Sequence, residues 1–389
     1  MKTIIVIDNL NMGGVASSLY NFLPHIIEKS ECDLFVFNES SIDFNRIPTG
    51  VNVITPPKIL HILGKTQAEI IKESKVMALF RVMLFGLSKL INGETARNIL
   101  FLMIRPFGEY DLAISYAQDD GWKSLSKGCN DFILKKITAK QKVCIIHCDY
   151  KNFGGYNNRQ YSAFNMLDSI ICLSESCKAS FLECFPKLNA KAIVCENFTD
   201  IERIKRLAKN PIEYDSELIN FVSVCRLSTV KGLDRCIFAI KELIDEGYSG
   251  FTLTIVGDGH EYDRLRSMVC QNNLEKTVYM VGSQENPYKY IKNATALVIS
   301  SIHEAAPMVY GESATLGVPI ITTETSSAIE LVRERGIGIV VENSKDGIKA
   351  ALKQTIDNKS ILSGLVISES DVNSFANRQF NDFIINVMS

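Results

Sequence analysis

Short apolar segments alternate with stretches of helix length along the whole chain of 389 residues. In the first half the apolar segments are 3–7, 32–37, 111–116, 142–147, 169–173 and 192–195. A second series begins at residues 219, 251, 278, 294, 319 and 338. Strands that alternate with helices form parallel sheets, because each crossover helix returns the chain to the same edge. We therefore expect an α/β protein with two Rossmann-like halves.

The segment between the two series predicts the domain boundary. Residues 200–216 are polar, dense in charge and contain a proline. We place an N-terminal domain at 1–200, a linker at 201–217 and a C-terminal domain at 218–370, followed by a final helix at 371–389. A chain of this length accommodates two domains of ordinary size.

The segment 300–322 places two glutamates eight positions apart around a predicted helix start. Glu304 falls in the loop before the helix, and Glu312 lies about 8 Å further along it, at about 1.5 Å per residue. The first-turn amides, near Met308 and Val309, would face an anionic oxygen. One carboxylate can then bind sugar hydroxyls and the other ribose hydroxyls. An isolated pair of this kind is also compatible with two solvated helix-start residues.

Two cations follow the first strand of the second series. Arg226 ends that strand, and Lys231 with Gly232 opens the next helix. A guanidinium and an ammonium beside a helix N-terminus suit a diphosphate, since each charged hydrogen bond contributes about 1.5–3 kcal/mol. Arginine and lysine at a turn are also often plain solvent-facing residues. The following strand ends in Gly257 and Gly259, which alone are ordinary turn residues.

Two further candidates lie at strand ends of the first series. Gly13 and Gly14 come between the first strand and a predicted helix, where paired glycines let the backbone approach a phosphate or sugar. His147 ends the fourth predicted strand. At that position it is either a ligand-binding residue or a histidine of the core. Ligands of open parallel sheets gather at the carboxyl ends of the strands.

These motifs occur in an order and spacing that resemble the retaining glycosyltransferases of family 4. The pattern R-x-x-x-x-K-G-x-D occupies 226–234, V-G-D-G occupies 256–259, and a glutamate, seven residues and a second glutamate occupy 304–312. The resemblance covers nearly all of the chain. It implies the GT-B fold, in which two Rossmann-like domains have parallel sheets that face a central cleft. The domain at 1–200 would be the acceptor side and the domain at 218–370 would bind the nucleotide sugar, with the helix at 371–389 crossing back onto the first domain. The chain departs from the family pattern where Ala305-Ala306-Pro307 replaces the usual Gly-Phe-Pro.

The resemblance also implies a reaction. A sugar would pass from a nucleotide diphosphate sugar, expected to be a UDP-sugar, to a glycan or lipid-linked acceptor in the synthesis of a cell-surface polysaccharide such as capsule or O-antigen. The anomeric configuration would be retained and no covalent nucleophile is assigned. The catalytic residues are expected to be Arg226, Lys231, Glu304 and His147. The donor-binding residues are expected to be Gly13, Gly14, Gly257, Gly259, Met308, Val309 and Glu312. A nucleotide-sugar epimerase and a non-catalytic nucleotide-sugar-binding partner of another transferase remain as alternatives.

The charge, cysteine and histidine content of the chain indicates its class of partner, its cellular compartment and whether it binds a metal. The net charge of −2 gives no reason to expect nucleic acid as a partner. The eleven cysteines are scattered, with no C-x-x-C and no recognisable secretory leader, so we expect a reducing, cytoplasmic location. The five histidines are dispersed and no D-x-D occurs, so we expect neither a bound metal nor a cofactor.

The segment 58–106 combines apolar residues at helical spacing with basic residues. Its cations include Lys65, Lys72, Lys75, Arg81, Lys89, Arg97 and Arg105. The apolar runs are too short to span a bilayer, but a basic amphipathic helix can lie in the headgroup layer. The segment therefore predicts docking on an anionic membrane surface, peripherally on its inner face, or else a core face with solvated lysines.

Overall fold

The computed structural model describes residues 1–118, 123–154, 157–212, 214–215, 217–365 and 368–388. The chain forms two compact units, which we name unit 1 (Met1–Phe198 with Ala376–Ser389) and unit 2 (Thr199–Phe375). Across these described ranges, every helix is too short or too polar to cross a lipid bilayer.

Among its described residues, unit 1 contains a seven-stranded parallel sheet. Its strands are β1 (Lys2–Ile7), β2 (Glu31–Val36), β3 (Val51–Ile54), β4 (Phe107–Ser115), β5 (Ile137–Ile146), β6 (Ser169–Cys172) and β7 (Ala192–Val194). The spatial order is β3-β2-β1-β4-β5-β6-β7, so the winding direction changes between β1 and β4. Ligands of such sheets bind outside the carboxyl ends of the strands at this switch point.

The helices of unit 1 connect these strands. They are α1 (Gly14–Ile27), α2 (His61–Gly64), α3 (Gln67–Glu73), α4 (Lys75–Leu90), α5 (Gly93–Leu102), α6 (Cys129–Lys136), α7 (Tyr150–Phe153), α8 (Asn158–Asn165) and α9 (Glu175–Cys184). The six strands predicted for this half are present. The sequence pattern missed β3, because this four-residue edge strand is half exposed and lacks a continuous apolar run.

The described part of unit 2 contains a six-stranded parallel sheet. Its strands are β8 (Ile219–Val224), β9 (Phe251–Val256), β10 (Val278–Gly282), β11 (Ala296–Ile299), β12 (Ile320–Thr323) and β13 (Gly338–Val341). The order β10-β9-β8-β11-β12-β13 is that of a doubly wound Rossmann sheet, with its switch point between β8 and β11. The predicted α/β class with two Rossmann-like halves is confirmed.

The helices of unit 2 cover both faces of this sheet. They are α10 (Ile201–Ala208), α11 (Leu233–Asp245), α12 (Tyr262–Gln271), α13 (Tyr288–Lys292), α14 (Met308–Leu316), α15 (Lys345–Asp357) and α16 (Glu369–Val372). Two separate apolar clusters fill the space between helices and strands. One of them gathers the inner faces of α11, α12 and α15.

Helix α10 occupies the first half of the segment 201–217, which the sequence indicated as a linker. Ile204 and Ala208 are buried in the second apolar cluster of unit 2, so this stretch is an integral helix and not a free connection. Its apolar stripe is narrow and lies among basic and acidic residues, which is why composition alone suggested a linker. Positions 213 and 216 lie outside the described residues.

The last helix, α17 (Ser374–Met388), packs within unit 1 from Ala376 onward. Phe380 lies edge-on to Phe22 and Phe198, with ring centroids 5.4 and 5.7 Å apart. The amide side chain of Gln379 accepts a hydrogen bond from the backbone of Glu196 at 3.0 Å. The C-terminal segment thus belongs to the fold of the N-terminal half.

Candidate functional site

The carboxyl edge of the unit 2 sheet brings together the loops that follow β8, β9 and β11. Gly257 and Gly259, after β9, lie against the β8 loop so closely that an added Cβ would be 1.9 Å from Cys225 O and 2.2 Å from Leu227 O. Leu227 N in turn donates to Asp258 O at 2.9 Å. These two glycines therefore permit loop packing, and their predicted contact with a donor stays a prediction.

The β8 loop carries the two predicted cations. A 3₁₀ turn ends at Lys231, and Gly232, with φ of 58°, opens α11. An added Cβ at Gly232 would lie 2.4 Å from Ser300 O, so the turn needs glycine both for its backbone conformation and for close approach to the β11 loop. Arg226 is exposed, and its side chain has no hydrogen-bond or ion-pair partner among the described residues.

Glu304 and Lys231 form an ion pair between the β11 and β8 loops, across the switch point. Lys231 Nζ lies 2.5 Å from Glu304 Oε1, and Ser301 Oγ donates to the same oxygen at 2.6 Å. The side chains of Lys231 and Glu304 are 22% and 11% exposed, so both still reach solvent. Within the described ranges, Oε2 of Glu304 takes part in none of the hydrogen bonds and can accept one from a ligand hydroxyl.

Helix α14 begins directly after the Glu304 loop. Met308 and Val309 form its first turn, which has neither an acidic residue nor a side-chain cap in the described helix. The unbonded amides of such a turn attract anions. Glu312 lies further along α14 and is half buried, and Gly317, with φ of 67°, ends the helix. The predicted arrangement of loop, helix start and second glutamate is present.

The neighbouring ionisable side chains are held neutral. Burial raises the pKa of the Cys225 thiol to about 12, with Lys231 lowering it and Glu304 raising it. Burial also raises the pKa of Tyr310 to about 12, although a hydrogen bond with Thr322 works in the opposite direction. Neither group ionises near neutral pH, so the local chemistry is that of fixed cations and a carboxylate, not of a thiolate nucleophile.

Unit 1 carries the remaining predicted residues at the carboxyl ends of β1 and β5. Gly13 and Gly14 are exposed at the start of α1, which has no side-chain cap among described residues. His147 directly follows β5, and its Nε2 is buried without a partner in the described part of the chain. Burial lowers the His147 pKa to about 4, helped by the charge of Lys127 and opposed by a hydrogen bond to the Tyr116 backbone. The ring is thus neutral near pH 7, and its predicted contact with a sugar stays a prediction.

Sequence reasoning missed Ser301, which fixes one oxygen of Glu304. The spacing S-x-x-E at 301–304 was available as a signal, because a serine three positions before a glutamate often bonds to it. No group of three or more histidine, cysteine, aspartate or glutamate side chains within the described residues could hold a metal ion.

Part of the chain is similar in sequence to known glycosyltransferases. Residues 205–369 match the family described as glycosyl transferases group 1. An uncharacterised glycosyltransferase of Methanocaldococcus jannaschii is 28% identical over 166 residues, which cover 41% of either protein. A lipopolysaccharide core biosynthesis glycosyltransferase of Rhizobium meliloti is 23% identical over 239 residues, which cover 61% of this chain and 68% of the relative. The match to the first of these relatives thus spans less than half of its length.

Solved structures resemble the chain over nearly its whole length. Anabaena HepE in complex with UDP has a TM-score of 0.65 at 16% identity and covers 99% of this chain and 100% of its own. A trehalose-6-phosphate structure from E. coli bound with UDP-2-fluoro glucose has a TM-score of 0.66 at 11% identity, with 100% and 99% covered. At such identities the likeness establishes the fold, and the predicted GT-B class is confirmed.

Proposed function

We propose that this protein is a retaining glycosyltransferase that moves a sugar from a UDP-sugar to a glycan or lipid-linked acceptor in cell-surface polysaccharide synthesis. The observation that carries the proposal is the Lys231–Glu304 pair beside the exposed Arg226 and the uncapped start of α14. Cations and free amides suit a diphosphate, while a carboxylate with one unused oxygen suits a sugar hydroxyl. The family match of 205–369 and the lipopolysaccharide relative support the same reading.

In the proposed reaction, Arg226 and Lys231 stabilise the negative charge that grows on the departing diphosphate. Glu304 Oε2 accepts a hydrogen bond from the transferred sugar, and Glu312 binds the ribose. The acceptor oxygen bonds to the anomeric carbon as the bond from that carbon to the phosphate oxygen breaks, and the leaving phosphate takes the acceptor proton on the same face. In unit 1, neutral His147 and the Gly13–Gly14 turn are assigned to sugar contacts.

Mass spectrometry of products from a panel of nucleotide sugars, with and without glycan and lipid-linked acceptors, tests the proposal. We expect a new glycoside and free UDP only when donor and acceptor are both compatible. An isomerised nucleotide sugar formed without acceptor would instead identify an epimerase. Donor binding with no turnover across the panel would favour a non-catalytic partner subunit.

Turnover is expected to be independent of divalent metal. Arg226 and Lys231 already supply positive charge for the diphosphate, and the sequence has no D-x-D motif to hold a bridging cation. Rates should therefore be equal with EDTA and with added magnesium or manganese. Loss of activity in chelator, followed by recovery on adding either metal, would contradict this prediction.

We further propose that the protein acts in the cytoplasm, peripherally on the inner face of the membrane, and that α4 is its docking face. Val76, Leu79 and Leu90 recur on one side of α4 and are 78%, 72% and 85% exposed. On the opposite side of this helix, the buried residues among those described are Ala78, Leu84 and Ser88. Most of the larger apolar residues of α4 are therefore exposed, which is typical of an interaction surface.

The charges around α4 favour an anionic lipid surface as the occupant. Lys72, Lys75 and Lys89 are exposed. The three carboxylates of this segment bind elsewhere: Glu73 pairs with Lys65 and His61, Glu94 pairs with Lys135, and Glu69 accepts hydrogen bonds from Thr66. The face that remains is apolar with basic flanks.

Other cations predicted to face lipid point inward. Lys65 is buried against Glu73, and Arg97 is buried in an ion pair with Asp131 at 2.7 Å. Arg81 donates to the backbone of Ile62 at 3.1 Å. These three residues stabilise the fold through internal contacts, so the test of membrane binding leaves them unaltered.

Combined Lys72→Gln, Lys75→Gln and Lys89→Gln substitutions are expected to weaken binding to phosphatidylglycerol vesicles about 100-fold, at about 1 kcal/mol for each lysine near the surface. Vesicle sedimentation at low and high salt measures this, since salt screens the attraction. A control with the same charge change uses the exposed Lys29, Lys140 and Lys187 of unit 1 and should bind normally. If the unaltered protein does not sediment with these vesicles at low salt, or if α4 is buried in a dimer in solution, the membrane proposal is wrong.

A further inference from the structure

Arg235, in the first turn of α11, connects the loops that carry the candidate site. Its Nη2 donates to Ser300 O at 2.5 Å, and its Nη1 donates to Asn343 Oδ1 at 2.9 Å and to Asn343 O at 3.2 Å. Ser300 begins the β11 loop, whereas Asn343 lies between β13 and α15. One guanidinium thus ties α11 to two loops that are more than 60 residues away in sequence.

Asn343 extends this connection to a third loop. Its Nδ2 donates to Ile302 O and to Glu324 O, each at 3.0 Å. Glu324 directly follows β12. The side chain therefore joins the β11 and β12 loops at the same edge of the sheet where it receives Arg235.

Hydrogen bonds also join the β8 and β11 loops directly to each other. Ser300 Oγ donates to Lys231 O at 2.9 Å, and Ile302 N donates to Val230 O at 2.8 Å. The carbonyls held by Arg235 and Asn343 thus flank Ser301, the residue that fixes Glu304 Oε1. Movement of this stretch would displace the carboxylate and its ion pair.

We propose that Arg235 and Asn343 are positioning residues that hold Lys231 and Glu304 in register for sugar transfer. Neither needs to touch the substrate, because both act through the carbonyls of Ser300 and Ile302. The inference rests on the proposed function. It assigns a role to two residues that lie outside the arginine, lysine and glutamate positions of the predicted motif.

Arg235→Ala is expected to lower kcat about 100-fold, the scale expected when a reacting group is misplaced by about 1 Å. Its affinity for UDP, measured by calorimetry, should change much less, and the number of UDP sites per molecule should stay the same. Arg235→Lys keeps a donor near Ser300 but loses the paired hydrogen bonds to Asn343. Its kcat should therefore lie between those of the unaltered protein and of Arg235→Ala. Arg264→Ala is the matched control, because Arg264 is exposed and its contacts in the described part of the chain are with the side chains of Asp234, Glu261 and Met268.

Hydrogen exchange supplies a readout that does not depend on turnover. Arg235→Ala should speed exchange of the amides at 230–233 and 300–304 and leave the peptides of unit 1 unchanged. The inference is overturned if kcat of Arg235→Ala equals that of Arg264→Ala, or if lost activity is matched by lost UDP sites. If the unaltered protein transfers no sugar, the proposed function fails and exchange alone decides: unchanged exchange at 300–304 overturns the loop connection.

Discussion

Arg226→Ala and Lys231→Ala are each expected to lower turnover of the donor about 100-fold to 1000-fold, as for loss of one preorganised oxyanion donor. Arg226 is exposed and has no partner among the described residues, so its removal leaves the fold intact and tests the leaving-group role alone. Among the described residues, Lys231→Ala also leaves Glu304 with the hydrogen bond from Ser301 alone, so the substitution disturbs two groups at once. Steady-state rates at saturating donor and acceptor measure both effects.

Lys241→Ala is the matched control for this prediction. Lys241 lies on α11, the helix that follows the loop carrying Arg226 and Lys231, and it pairs at the surface with Asp245. A surface pair of this kind contributes about 0.3–0.5 kcal/mol, so its loss should leave turnover almost unchanged. Turnover of Arg226→Ala and Lys231→Ala within about threefold of the unaltered protein would contradict the assigned role.

The architecture was predictable because parallel strands are buried on both faces and so stand out as apolar runs. The six predicted strands of each half are present. Where burial is partial the signal fails: β3 is a half-exposed edge strand, and α10, as far as the structure describes it, buries Ile204 and Ala208 alone among many charges. The predicted elements differ from the missed ones in how much of their side chains is exposed, and not in the helix or strand propensity of their residues.

The candidate site was predictable in its residue types but not in its contacts. Lys231 and Glu304 are 73 positions apart, and only the adjacency of β8 and β11 in the sheet brings them together. Spacing along the chain carries no information on that strand order. Lys65 also differs from its prediction, because composition groups it with the lipid-facing lysines, whereas its ion pair with Glu73, eight residues later, holds it inward.

Because Glu304 pairs with Lys231, we expect replacement of Glu304 and replacement of Glu312 to affect ligand binding differently. Glu312→Gln is expected to weaken binding of UDP and of UDP-sugar alike by about 10-fold or more, through loss of charged hydrogen bonds to the ribose of about 1.5–3 kcal/mol. Calorimetry with both ligands measures this. Glu275→Gln, at an exposed loop position of unit 2, is the control with the same chemical change.

Glu304→Gln is expected to lower turnover about 100-fold and yet to bind free UDP about 3-fold to 10-fold more tightly. Glutamine can keep the hydrogen bond from Ser301, but it no longer competes with the diphosphate for the charge of Lys231, nor repels it. Binding of the intact donor should weaken relative to UDP, because the acceptor oxygen for the sugar hydroxyl is lost.

A double-mutant cycle with Lys231→Ala isolates the cause of the tighter UDP binding. If the gain comes from releasing Lys231, it should vanish when the lysine is absent, since the two changes act through one contact. A gain that persists without Lys231 would mean that the carboxylate repels the diphosphate directly. Weaker UDP binding by Glu304→Gln would show instead that the carboxylate supports the nucleotide, and that the ion pair does not hold Lys231 back from its ligand.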